Sequence, residues 1–178
     1  LSNYVDAEMQ DVFNSRDLPL YGMMMYHLGW TDQYGQAQDT VVNIRFQSML
    51  ALCIADLLSD DIDPALPVAA AVQLICDFMD VHGEVQAGRL GSDVERPTIW
   101  WVWGPAQAIN AGDGLHALAR SAMMRLSSRR VDPSKILESV RLLDNTCLTL
   151  CEGQYIDLTF QDQVLIRTSG FLLVKCNT

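Results

Sequence analysis

The sequence predicts an all-α protein on three observations: apolar residues recur at spacings of three and four, β-branched residues are scattered, and no two-residue hairpin signature occurs. That periodicity places helices over about 3–14, 19–28, 39–58, 66–82, 104–126, 133–160 and 164–175. Within "SDDIDPALP", Pro64 and Pro67 suit the first turn of a following helix, because proline lacks only an amide that would be unpaired there. The helix then runs through "VAAAVQLICDFMDVH". Pro97 and Pro105 bracket "TIWWVWG", so 83–104 reads as a loop with short turns between two long helices. In "VDPSKILESV", Asp132 is placed to cap a helix with Pro133 at its first position. No internal repeat or low-complexity segment interrupts this order.

At 178 residues the chain reads as a single domain, 1–178, able to bury a core without disulfides. A content of 49% hydrophobic and 19% charged residues suits a packed soluble protein. The net charge of -10 argues against nucleic acid and anionic membrane as partners. Five cysteines, an odd number without a paired framework, read as reduced thiols. No signal-peptide pattern opens the chain, and its apolar stretches are broken before spanning length, so the expectation is a cytoplasmic protein without an integral membrane segment.

The chemistry concentrates in "DFMDVHGEVQAG". Asp77, Asp80 and Glu84 are separated by three and four residues, so a helix sets them along one face. Two readings follow: a solvated acidic face, or carboxylates bridged by a divalent cation such as Mg²⁺. His82 reads as a hydrogen-bonded structural residue before a ligand.

The order "ALPVAAAVQLICDFMDVHGEVQAG", "ERPTIWWVWGPAQAINAGDGLHALA" and "LLDNTCLTLCEGQYIDL" resembles the polyprenyl (isoprenyl diphosphate) synthase family from about 41 to 175. The resemblance implies a terpenoid-synthase fold, antiparallel helices around a central apolar cavity, in which two aspartate-rich motifs hold Mg²⁺ and a prenyl diphosphate. It puts the second such motif beyond Thr178, which makes this chain incomplete at its C-terminus, and it makes the Leu165–Ile166 junction about ten residues short.

Departures from the family pattern are specific. Where the family has "HDDxxD", this chain reads His82, Gly83, Glu84, Val85, Gln86, Ala87, leaving Asp80 and Glu84 as the candidate metal ligands. Where the family has a diphosphate-gripping arginine pair, this chain has Ser92, Asp93 and Val94. The isopentenyl diphosphate motif "GKRxRP" corresponds to "VVNIRF", which keeps only Arg45. Losing two cations removes several charge-assisted hydrogen bonds, each worth about 1.5 to 3 kcal/mol, so chain elongation is not expected.

The resemblance carries Asp113, Gln154, Asp157 and Thr168 over as matching positions. It makes Gln154 and Thr168 the catalytic candidates, near the allylic substrate, with Phe78, Met79, Arg45 and Asp157 as substrate-binding candidates. Phe78 and Met79 fall at the family's cavity floor, although core packing is the more common reason for apolar residues at helical spacing. Trp100, Trp101 and Trp103 would line a cavity, form a subunit interface or simply pack. Cys147 and Cys151, four apart, supply too few ligands for zinc and resemble the C-x3-C motif of plant geranylgeranyl diphosphate synthase small subunits. Three functions are therefore expected in turn: a Mg²⁺-dependent class I terpene synthase acting on a prenyl diphosphate, a noncatalytic partner of an active prenyl synthase, or an isoprenoid or lipid carrier. A homodimer, or a heterodimer with a prenyl synthase, is expected.

Overall fold

The computed structural model describes residues 2–14, 16–38, 45–88 and 96–161. Among the described residues seven α-helices form in this order: α1 Ser2–Phe13, α2 Pro19–His27, α3 Phe46–Leu58, α4 Leu66–Ala87, α5 Ile99–Trp103, α6 Pro105–Met124 and α7 Pro133–Gln161. Among the described residues the only β-pairing is an isolated bridge between Thr31 and Ala37. The chain divides into two compact units, Leu1–Ile136 and Leu137–Thr178.

In the first unit α4 is the central helix. It buries Ala69, Ala70, Leu74, Phe78 and Val81, packing most broadly on α6 and then on α3 and α1. The buried side of α6 carries Ala108, Ala111, Gly112 and Ala119, small enough for the two backbones to approach closely, with Leu115 among them. By length and apolar content Asp63–Ala87 could cross a bilayer, yet most of its apolar window is buried inside the protein, as a core helix requires.

Pro64 lies in the first turn of the short 3-10 segment Asp63–Ala65, and Pro67 in the first turn of α4. The expected loop over 83–104 is corrected at its start. The helix continues through Gly83 and Glu84 to Ala87, since one interior glycine costs only about 1 kcal/mol while each further turn keeps its hydrogen bonds. The stop comes at Gly88, whose φ of 58° is the left-handed conformation that closes a helix.

α3 begins at Phe46 and not at 39; residues 39–44 lie outside the described ones. The N-terminal helix is tied down by charge. Glu8, buried on α1, accepts from Arg125 Nε at 2.5 Å and Arg129 at 2.6 Å, and Arg129 also pairs with Asp63.

α7 begins in the first unit, and from Leu137 on it is the described part of the second. Asp132 caps it as expected, its Oδ1 accepting from the Ser134 hydroxyl at 2.5 Å and the Ser134 amide at 2.8 Å, which together hold the Asp132 carboxyl below its ordinary range. Thr146, Thr149 and Thr159 each return their hydroxyl to the carbonyl four residues back. The expected helix over 164–175, Thr168 and the Leu165–Ile166 junction lie outside the described residues.

Candidate functional site

The C-terminal half of α4 presents its acids to different surroundings. Asp77 turns inward and is 6% exposed. Its carboxylate is 3.7 Å from His27 Nε2 on α2 and receives both long contacts of the Gln73 amide at 3.5 Å. Gln73 Oε1 in turn accepts from Ser48 on α3 at 3.4 Å. Burial is the main cause that pushes Asp77 up to about 7, partly offset by the Arg45 charge. Burial, helped by Arg45 and Arg96, pushes His27 down to about 4. Between those values neither group carries charge, and the pair joins α2 to α4 as neutral partners.

Asp80 and Glu84 sit one turn apart further along the helix. Loss of water raises the Asp80 carboxyl. Loss of water and then repulsion from Asp80 push Glu84 up to about 7. Glu84 Oε2 is buried with no hydrogen-bond partner. Two crowded carboxylates, one with an orphaned oxygen, fit a hard divalent cation, for which one or two carboxylates with water and phosphate oxygens suffice. Asp77 does not join them, because it faces His27. Among the described residues no three His, Cys, Asp or Glu side chains gather into a metal-holding group.

Phe78 is buried and packs between two imidazoles, 4.7 Å from the His82 ring and 5.2 Å from His116, centroid to centroid. Met79 beside it is partly exposed. His82 reaches the Ile109 carbonyl at 3.2 Å and Asp113 at 3.6 Å, both on α6. Gly112 makes that possible: a Cβ there would overlap the His82 ring. The "NAGD" stretch thus serves as a close-packing seat for His82.

Arg45, expected to bind substrate, is 4% exposed and directed into the protein. Its guanidinium pairs with Asp6 at 3.1 Å and donates to the Leu28 carbonyl at 2.8 Å, while Trp30 donates to the same Asp6 oxygen at 3.2 Å. Arg96 donates to the Thr31 carbonyl at 2.5 Å and lies 3.8 Å over the Tyr26 ring. Tyr26 donates to the Pro97 carbonyl at 2.7 Å and meets Trp103 edge-on at 5.0 Å. Trp103 therefore packs, whereas Trp101 is exposed and the Trp100 Nε1 is buried without a partner.

Gln154 and Asp157 lie on α7, three residues apart and so on one side of it. Cys147 is buried and Cys151 exposed on the same helix. Ser92, Asp93 and Val94 lie outside the described residues. Sequence reading missed Asp6, His27, Gln73 and Ser48. A lone histidine closing the short apolar helix "PLYGMMMYH" was the one available hint.

Residues 43–173 match the polyprenyl synthetase family. Over 157 residues the chain is 34% identical to a geranylgeranyl diphosphate synthase of Mycobacterium tuberculosis, covering 86% of this chain and 43% of that relative. It is 36% identical over 121 residues to a short chain isoprenyl diphosphate synthase of Methanocaldococcus jannaschii, covering 66% of this chain and 35% of that one. A polyprenyl synthetase structure from Streptomyces coelicolor superposes with a TM-score of 0.85 at 25% identity, over 98% of this chain and 50% of that chain. A geranylgeranyl pyrophosphate synthetase structure from Geoglobus acetivorans, at 22% identity and a TM-score of 0.82 over 99% and 53%, shares the fold. The chain spans about half or less of the length of these relatives.

Proposed function

Because the chain belongs to the polyprenyl synthetase family, we propose that it takes one prenyl diphosphate and does not join isopentenyl diphosphate to it, as a class I terpene synthase would. The observation that carries this reading is Arg45. As the one cation left of the isopentenyl motif, it spends its guanidinium on Asp6 and the Leu28 carbonyl. Freeing it would leave the half-buried Asp6 carboxylate with Trp30 alone and give up a charge-assisted hydrogen bond worth about 1.5 to 3 kcal/mol, roughly what a new diphosphate contact returns.

Mg²⁺ held by Asp80 and Glu84 would supply positive charge beside the diphosphate leaving group. The rest falls to the chain. Phe78, fixed between His82 and His116, offers an aromatic face to the prenyl chain beside Met79. By the family resemblance, Gln154 and Thr168 would meet developing positive charge, and Asp157 would help seat the substrate.

A noncatalytic partner subunit is the second reading, favoured by Arg96. That cation is held by the Thr31 carbonyl and the Tyr26 ring, within the scaffold. The two readings separate when the purified protein meets Mg²⁺ and prenyl diphosphates of ten to twenty-five carbons. Release of diphosphate, lost in the Asp80→Ala/Glu84→Ala double variant, supports turnover. Silence with every substrate, together with a stable complex on co-expression with an active prenyl synthase, supports the partner reading.

A further inference from the structure

A line of polar side chains crosses the core of the first unit. Ser48 Oγ donates to the Arg45 carbonyl at 2.9 Å and lies 3.4 Å from Gln73 Oε1, and the Gln73 amide reaches both oxygens of Asp77 at 3.5 Å. Asp77 in turn stands 3.7 Å from His27. The line then closes on its start, because the Arg45 guanidinium donates at 2.8 Å to the carbonyl of Leu28, the residue after His27. Arg45 is therefore held beside the Asp77 cluster while its charge serves Asp6 of α1. One oxygen of Asp6 takes both Arg45 Nε at 3.1 Å and Trp30 Nε1 at 3.2 Å.

We propose that this cluster is a proton-operated switch in the anchoring of α1: while Asp77 keeps its proton Arg45 holds Asp6, and when that proton passes to water Arg45 turns to Asp77 and gives up Asp6. Access to water sets the direction. The Asp6 side chain is 26% exposed and that of Asp77 9%, so solvent can serve a released Asp6 but not a newly charged Asp77. Burial keeps the proton on Asp77 up to about 7, and of the charges around it Arg45 opposes burial most, while Asp80 and Asp6 act with burial. His27 does not supply the countercharge, since burial, then Arg45 and Arg96, hold it down at about 4. On α6, Asp113 and His116 meet His82 and Phe78 instead. Glu8 keeps its own pairing with Arg125 and Arg129, so α1 loosens without leaving. The switch does not depend on turnover at Asp80 and Glu84.

The test follows the Trp30 indole signal by NMR across neutrality in protein carrying isotope-labelled tryptophan, with Trp30→Phe for assignment. Because Arg45 and Trp30 share one Asp6 oxygen, departure of Arg45 should strengthen the Trp30 bond and move its signal downfield, with a midpoint near 7. Asp77→Asn, which copies the protonated acid, should abolish the step. Asp6→Asn frees Arg45 in advance and should lower the midpoint by about one pH unit or more. Glu84→Gln removes the other carboxyl pushed up to about 7 and should leave the step in place. The inference is overturned by a Trp30 signal that ignores pH, by a step that survives in Asp77→Asn or vanishes in Glu84→Gln, or by an Asp6→Asn midpoint at or above that of the parent.

Discussion

An acid sunk between two helices titrates unlike one on a helix surface, and Asp77 shows the consequence. Its folded-state value of about 7 lies above the ordinary 3.8, so its contribution to stability is complete below pH 3.8 and is lost as pH rises through 7. His27, lowered from 6.5 to about 4, runs the other way: its contribution is complete above pH 6.5 and is lost as pH falls through 4. Asp77→Asn removes the first dependence and keeps the second. Chemical denaturation of this variant should show the decline between pH 4 and 7 flattened, with a gain over the parent of up to roughly 4 kcal/mol at pH 8. An unchanged slope would place Asp77 in water. The spacing of Asp77, Asp80 and Glu84 made their shared face legible, but not which of them is inward. That depends on His27 and Gln73, and His27 is 50 residues away in sequence, so no local pattern encodes the pairing.

At the scale of elements, turn chemistry was the readable part. Asp132, Pro64 and Pro67 stand where local rules put them, because a cap or a first turn needs only its nearest neighbours. The C-terminal turn of α4 was not legible, since the apolar period fades after 82 while the helix runs on to its stop at Gly88. The seam between α4 and α6 was legible only as a motif. Its physical reason is Gly112 beneath His82, so Gly112→Ala must push the ring or part the helices. A loss of about 1 to 3 kcal/mol in thermal or denaturant unfolding is expected. Glu8 tests the other seam. Glu8→Gln takes the buried charge from Arg125 and Arg129, which keep Asp11 and Asp63, and should cost about 1 to 3 kcal/mol, while Asp11→Asn, at the exposed end of the network, should cost little.

For the whole molecule, the all-α fold and its family were legible because helical period and three ordered motifs run through most of the chain. What the frame does was less legible, because function turns on where individual cations point. Arg45 looked in sequence like a surviving substrate contact and in three dimensions serves Asp6. The most direct measurement is product analysis after incubation with Mg²⁺ and a prenyl diphosphate, with and without isopentenyl diphosphate. The account predicts that isopentenyl diphosphate changes nothing and that no longer prenyl chain forms, with any diphosphate released coming from the allylic substrate alone. A prenyl diphosphate lengthened by five carbons, formed only when isopentenyl diphosphate is present, would contradict it.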